Sequence, residues 1–474
     1  MIKPSLQIAA PLALALALGG CMSLAPHYQR PAAPVAPAFP DLPAAGGEAG
    51  GLATGEPVTT IEWQRFFADA RLRQLIDLAL ANNRDLRVAI LNIEQARAQY
   101  RIRRADQLPT VSAGVTGSRV PVPDNGIVST YTAGLQVSAF ELDLFGRVRN
   151  LSEAALAQFL ATEEARKATH ISLVAAVANV YLALLADDEL LELTRQTLAG
   201  REESLKLIQL KYDNGVLSKL DLQLGLSLVD TARVVLAQQL RQRAQDLNLL
   251  VLLVGSPLPA APAGAATLAA TALGELPAGL PSDLLTVRPD IRAAEQQLIA
   301  ANANIGAARA AYFPRIALTG SAGSASSELS GLFKGGSWGW TFAPQAILPI
   351  FDFGRTRAGV DSAKAGRDIA LAQYEKAIQT AFREVSDALA GQATLGDQLI
   401  AQRAVAAAEA ERFKLSDLRY RSGAASYLDL LDAQRSLFAA QQAAVQAKLQ
   451  RLQNQVTLYQ VLGGGWNAAA GSAP

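Results

Sequence analysis

From Thr110 the chain alternates, with Val111, Ala113 and Val115 on one side and Ser112, Gly114, Thr116 and Ser118 on the other. Beyond the turn PVPDNG, Tyr131, Ala133, Leu135, Val137 and Ala139 oppose Thr132, Gly134, Gln136 and Ser138. A period of two predicts a β-hairpin over 110–141 with one apolar and one polar face. The pattern returns over 315–350, where Ile316 and Leu318 alternate with Ala317 and Thr319, and Trp338, Trp340 and Phe342 alternate with Gly339 and Thr341. Pro344 and Pro349 leave the register of that last strand open. A strand of about 11 residues at roughly 3.3 Å each, tilted near 45°, spans about 25 Å, the height of the apolar band on a transmembrane barrel. Two hairpins covering a soluble core satisfy the same alternation.

Between the hairpins the period changes. Arg147 to Asn214 contains no proline and a single glycine, Gly200, and Arg355 to Arg421 contains no proline. Each run, taken as one helix of about 66 residues, is on the order of 100 Å long, too long to fold back into a globule. Helices at about 84–107 and 288–313 precede the hairpins, and return helices at 218–254 and 426–462 follow the long ones. Apolar residues step by three and four along Ile171, Val174, Ala178, Tyr181 and Leu185, the spacing of helix-to-helix packing. The run 171–186 is greasy, but it is short for a membrane helix, holds Asn179 and is flanked by charge, so it reads as a packed helix.

The chain is written twice. RADQLPTVSAG at 104–114 pairs with RAAYFPRIALTG at 309–320, and FELDLFGRVR pairs with LPIFDFGRTR, which sets Gly146 against Gly354. Tyr212, Gly215, Ser218, Leu220, Asp221 and Leu222 then match Tyr420, Gly423, Ser426, Leu428, Asp429 and Leu430. The first copy covers 62–255 (hairpin 110–141, long helix 147–213, tip 214–218, return helix 218–254). The second covers 284–464 (hairpin 315–350, long helix 355–421, tip 422–426, return helix 426–462). A Pro/Ala-rich linker at 256–283 joins them, and 465–474 is expected to be a disordered tail. Ser218 with Asp221 and Ser426 with Asp429 have the S-x-x-D form of a helix N-cap, and Gly215 and Gly423 supply the turn before it. The caps do not account for Asp432, whose place in the first copy is held by Leu224.

Composition narrows the function. Half of the 474 residues are hydrophobic but only 6% are aromatic, so Ala and Leu carry the apolar content of long helices. A formal charge of +1 gives no electrostatic footprint for nucleic acid. Two histidines and one cysteine rule out an internal disulfide and a Cys/His metal cluster, and no nucleophile and base pair is visible, so no enzyme, metal or cofactor is expected. Asp429 and Asp432, three apart near one helix face, can be read as an acid/base pair or a cation site, but a solvated face near a helix start is the simpler account and is preferred. Four strands cannot close a barrel in lipid, so several chains must share one: two chains give eight strands, three twelve, four sixteen. At the N-terminus, residues 1–20 read as a signal peptide, and LGGC at 18–21 resembles the bacterial lipobox, which makes Cys21 the acylated end, palmitate being an expected acyl group. Met22 after it, in place of Asp, points to the outer membrane by the lipoprotein sorting pattern, and 21–61 reads as an extended strap.

The lipobox, PHYQRP, WQRFFADARLRQLIDLALANNRDLRVA, RAQYRIRRADQLP, FELDLFGR, LPIFDFGR and YRSGAASYLDLLDAQRSLFAAQ together resemble the OprM-like branch of the TolC-type outer-membrane efflux proteins, from Cys21 to about Gly465. The resemblance implies a membrane α+β fold: a trimeric 12-stranded outer-membrane β-barrel, four strands per chain, continuous with a 12-helix periplasmic α-barrel. It implies the exit duct of a tripartite multidrug efflux system, a homotrimer in outer-membrane lipid whose partners are a periplasmic membrane-fusion adaptor and an inner-membrane RND-type pump. It places Leu428 and Asp432 in rings at the periplasmic gate, with Arg435 and Tyr420 near the links that keep it closed. Gly215, Val216, Leu217 and Ser218, with Gly423, Ala424, Ala425 and Ser426, become adaptor-facing tips. Asp429 departs from the family pattern, which has a neutral residue there, and implies more charge at the mouth. Other readings are a TolC-like duct for type I protein secretion and a non-conducting periplasmic coiled-coil lipoprotein.

Overall fold

The computed structural model describes residues 23–39, 58, 61–123, 126–260, 267–268, 270–274 and 287–466. Cys21, the signal peptide, most of 40–60, much of the 256–283 linker and the tail after Trp466 lie outside the described residues. Two compact units are present. The first takes Met1–Ala33, Leu91–Glu164 and Asp290–Ala377, the second Pro34–Ile90, Ala165–Pro289 and Ile378–Pro474. The elements in chain order are α1 (Trp63–Phe66), α2 (Ala70–Asn82), α3 (Arg84–Ala105), β1 (Val111–Val122), β2 (Gly126–Leu142), α4 (Arg147–Asp213) and α5 (Lys219–Val254). The second half continues with α6 (Pro289–Ala310), β3 (Arg315–Ser326), β4 (Trp338–Ile347), α7 (Arg355–Arg421) and α8 (Tyr427–Val461).

The first unit is built on one antiparallel sheet in the order β1-β2-β3-β4, which leaves β1 and β4 as its edges. Its apolar face carries Val111, Val115, Leu135, Trp338, Trp340 and Phe342, all strongly exposed. The other face is hydroxyl-rich: Thr116 and Thr132 lie 2.6 Å apart, and Ser321 and Thr341 2.7 Å. On that face Gly114, Gly134, Gly323 and Gly339 are successive partners across all four strands. A Cβ on Gly134 would come within 2.6 Å of the Gly323 Cα, so these two strands approach as closely as they do only because neither has a side chain there. The register left open by Pro344 is settled: Pro344 of β4 faces Leu318, and β4 is an edge strand of the sheet among the described residues, where proline is tolerated. In β2 a bulge between Val137 and Phe140 puts Ala139 at φ +52°, and its N–H donates to the Thr319 hydroxyl at 3.2 Å.

In the same unit residues 23–30 run extended along α6 and the start of α4. The Ser23 hydroxyl donates to Asn150 Oδ1 at 2.7 Å, Asn302 Nδ2 to the Pro26 carbonyl at 2.7 Å, and Arg309 to the Leu24 carbonyl at 3.1 Å. Glu295, 8% exposed, receives both arms of Arg30 at 2.7 and 2.8 Å and the Tyr28 hydroxyl at 3.0 Å. Gly306 makes room for the segment, since a Cβ there would lie 2.6 Å from the Ala25 nitrogen. Helix contact nearby is through small residues, Ala154 and Ala157 against Ala300 and Ala303. Phe145, at the exit of the first hairpin, stacks on Phe313, at the entry of the second, with centroids 4.6 Å apart.

The second unit is helical. Asp69 caps α2 by accepting from the Arg71 and Leu72 amides at 2.7 and 3.2 Å, and its other oxygen accepts the Tyr181 hydroxyl at 2.9 Å. Leu72, Leu75, Ile76 and Ala79 of α2 are fully buried, and Phe66 stacks on Tyr459 at 4.1 Å. The apolar stretch of α4 is long and greasy enough for a membrane span by composition, but Val177, Ala178 and Leu182 are sealed inside this unit. It is a packed helix, and its apolar residues are consumed by neighbouring helices.

Candidate functional site

Both long helices end in the second unit, and both turns are made by the same local chemistry. At the first, Gly215 adopts φ +71°, the Val216 amide returns to the Lys211 carbonyl at 2.8 Å, and the Gly215 amide to Tyr212 at 2.9 Å. At the second, Gly423 adopts φ +77°, the Ala424 amide returns to Arg419 at 2.8 Å, and the Gly423 amide to Tyr420 at 3.1 Å. These close the open carbonyls of a helix end, and the left-handed residue is glycine because a Cβ there is costly. The next helix then starts in a full capping box. Ser218 Oγ accepts the Asp221 amide at 3.2 Å while the Asp221 carboxylate accepts the Ser218 amide at 3.2 Å. Ser426 and Asp429 repeat this at 3.2 and 3.0 Å. Hydrogen bonding to Ser426 holds the Asp429 carboxyl below its ordinary range, so that charge is already engaged by the cap.

The turns pack on one another. Ile208 of α4, Leu222 and Leu228 of α5, and Tyr427, Leu430 and Leu431 of α8 form one buried cluster, with Leu217, Leu224, Phe413 and Tyr420 against it. Gly225 lets the helices approach, since a Cβ there would meet Ile208 at 3.1 Å and Leu205 at 3.2 Å. Lys211 adds a polar link: its ammonium lies 3.4 Å from the Tyr420 hydroxyl and 4.8 Å from that ring's centroid.

The four expected gate residues take different positions. Leu428 is exposed, at 60%. Asp432 is also exposed, forms a tight ion pair with Arg412 of α7, and has Arg435 4.0 Å away one turn on. Arg412 divides itself between Asp432, Glu409 at 3.1 Å and the Ser436 hydroxyl at 3.3 Å. The Asp432 and Glu409 carboxylates raise its pKa. Tyr420 is half-buried, facing Lys211 and Tyr427. Leu428, Asp432 and Arg435 thus share an open cavity of about 780 Å³, also lined by Arg201, Leu228 and Phe438. Arg201 is buried, donates to the Leu228 carbonyl at 3.0 Å and stacks over Phe438 at 5.2 Å, and burial together with the Arg435 charge lowers its pKa.

Of the eight expected tip residues, Gly215, Val216, Ser218, Gly423, Ala424 and Ser426 are exposed, whereas Leu217 and Ala425 are half-buried and Leu217 turns onto the cluster. Lys211, Arg412 and Tyr427 were not among the residues expected from sequence. A signal for Arg412 was present: in an antiparallel pair, residues equidistant from the turn lie side by side, and Arg412 and Asp432 each stand ten residues from Ser422. Tyr427 replaces Lys219 at the matching place of the first copy, an apolar-for-charged change that marks burial.

An uncovered apolar sheet face backed by a hydroxyl-rich one, together with long paired helices ending in capped turns, is the build of a subunit of an outer-membrane channel. The chain belongs to the outer membrane efflux protein family, whose model matches residues 75–256 and 280–464. It is 50% identical over 467 residues to the probable efflux pump outer membrane protein TtgC of Pseudomonas putida, covering 97% of this chain and 96% of that protein. It is 47% identical over 479 residues to outer membrane protein OprJ of Pseudomonas aeruginosa, covering 98% and 97%. The open state of the Neisseria gonorrhoeae MtrE outer membrane channel superposes with a TM-score of 0.84 at 40% identity, over 94% of this chain and 98% of that one. The protein is therefore an outer-membrane efflux protein.

Proposed function

We propose that three copies of this chain, each anchored through an acylated Cys21, close a 12-stranded barrel and serve as the exit duct of a tripartite system, passing small toxic compounds delivered by a periplasmic adaptor and a proton-driven inner-membrane pump. The observation that carries this reading is the sheet: its apolar face is uncovered, its polar face is lined with hydroxyls, and β1 and β4 are edges that lipid cannot satisfy. The repeat indicates how copies join. Phe145 stacks on Phe313 inside the chain. Phe353 is the second-copy counterpart of Phe145 and Leu108 the first-copy counterpart of Phe313, and both stand bare, at 105% and 70% exposure. The junction between chains is then a second edition of the junction within one, with Phe353 of one copy on Leu108 of the next.

Efflux of small compounds is favoured over protein secretion because relatives at about half identity carry names such as antibiotic efflux pump and toluene efflux pump outer membrane protein. Leu428 and Asp432 form the constriction in this reading. Their support is their exposure on one face of the turn region, with Arg412 and Arg435 at hand to bind the carboxylate. The exposed residues of the two tips are the adaptor surface. The test is planar-bilayer conductance of the purified chain: conducting trimers are expected, and no conductance under any condition would sink the duct. Asp432→Ala should raise conductance, and an unchanged value removes Asp432 from the constriction. Oxidation of a Leu108→Cys/Phe353→Cys double variant should give only interchain disulfides.

A further inference from the structure

Above the turns, α4 and α5 meet at a pair of acids that the capped turns and the gate do not use. Asp187 of α4 is 8% exposed, and its Oδ2, taken as part of an ionised carboxylate, has no hydrogen-bond donor among the described residues. Asp246 of α5 is its hydrogen-bonding and charged neighbour, and Asp246 Oδ2 also accepts from Gln242 Nε2 at 3.1 Å. The charges around it give little relief. Asp188 and Glu189 flank it on its own helix, and Arg243 of α5 donates to Asp188 Oδ1 at 2.5 Å. On α8, Lys448 has Arg403, Glu189 and Arg451 as its charged neighbours. Burial first, then the hydrogen bond and charge of Asp246 and the charge of Asp188, push the Asp187 carboxyl up to about 7, with Arg243 acting the other way. Two ionised carboxylates have only acceptors to offer each other, whereas one proton between them turns the contact into a hydrogen bond and satisfies the orphaned oxygen.

We propose that Asp187 and Asp246 share a single proton across the α4–α5 interface, and that its loss loosens this helix pair, so that the first of the two helical hairpins is a pH-responsive wall element and the second is not. The second copy provides the contrast. There the matching positions are Leu395 and Asn454, and the Asn454 carboxamide donates to the Ala388 carbonyl at 2.9 Å, an arrangement with nothing to titrate.

The sign follows from the raised value. The folded pair holds a proton that the separated helices release above the ordinary carboxylate range, so tightness is greatest in acid and is lost as pH rises toward 7. An opening that releases one proton becomes more favourable by up to about tenfold per pH unit over that window and levels off above it. The measurement is hydrogen exchange of the purified full-length protein in detergent, between about pH 5 and 8, after correction for the intrinsic exchange rate. Peptides spanning 183–192 and 240–250 should lose protection with this slope, and peptides spanning 388–396 and 450–458 should not. Asp187→Asn and Asp246→Asn, each of which replaces the shared proton with a fixed donor, should each flatten the slope and retain the low-pH protection. A flat wild-type profile, a slope that survives both substitutions, or an equal slope in the second hairpin would overturn the proposal.

Discussion

The turns at 214–218 and 422–426 bend the chain with the same atoms and then meet their surroundings with different ones. Both have a left-handed glycine, a returned amide and a reciprocal Ser/Asp box, with distances that agree to within about 0.2 Å. A few residues on, the copies part. Ser204, Leu224 and Ser227 of the first stand where the second has Arg412, Asp432 and Arg435. Lys219 stands where the second has Tyr427. Duplication kept what the backbone needs in order to reverse and released what faces outward, so the charged triad belongs to one hairpin only. A residue retained in both copies reports on chain geometry, and one found in a single copy is where function is to be sought.

The largest asymmetry to test is between Tyr427 and Lys219. Tyr427→Ala removes a buried ring from the turn cluster and should cost about 3–5 kcal/mol of local stability. Lys219→Ala should stay within about 0.5 kcal/mol. Amide exchange across 205–224 and 413–431 reads both, and equal losses would break the comparison. Next comes the backbone. Gly215→Ala and Gly423→Ala should each cost about 1–2 kcal/mol, because both glycines are left-handed, and the two costs should match. The caps follow: Ser218→Ala and Ser426→Ala should each cost about 1 kcal/mol, again alike. Acid should weaken the second cap. The Asp429 carboxyl is held low by Ser426, so its contribution is present above the ordinary carboxylate range and fades as pH falls through the depressed value. Smallest of all, Arg412→Ala should leave turn exchange unchanged, since the ion pair it breaks is solvent-exposed, while changing the conductance.

Much of this was legible in the residues. Alternation over Val111–Ser118 and Tyr131–Ala139 is a strong period, and a proline-free run as long as Arg147–Asn214 leaves few alternatives to helix. The caps were readable because they are local: glycine, serine and aspartate at fixed spacing carry their own mechanism. What escaped was nonlocal. The pairing of Pro344 with Leu318 depends on which strand is an edge, and no period records that. The placement of Leu217 against the cluster depends on how the two turns pack, while the pairing of Arg412 with Asp432 depends on the alignment of two helices across their turn. Alanine, which fits every face, carries no direction, and chains rich in it hide their contacts from a one-dimensional reading.

The contacts of residues 23–30 also fix an order in time. This segment is among the first to emerge during synthesis, yet three of the groups that hold it, Glu295, Asn302 and Arg309, lie 265 to 285 residues further along. Apart from the Ser23–Asn150 hydrogen bond, these contacts cannot form until α6, at the start of the second copy, has been made. The leading end of the chain therefore waits for most of its holding contacts through nearly two-thirds of its production. Docking of 23–30 then reports that α6 has been reached, because a chain truncated before α6 lacks the groups that hold most of its own beginning.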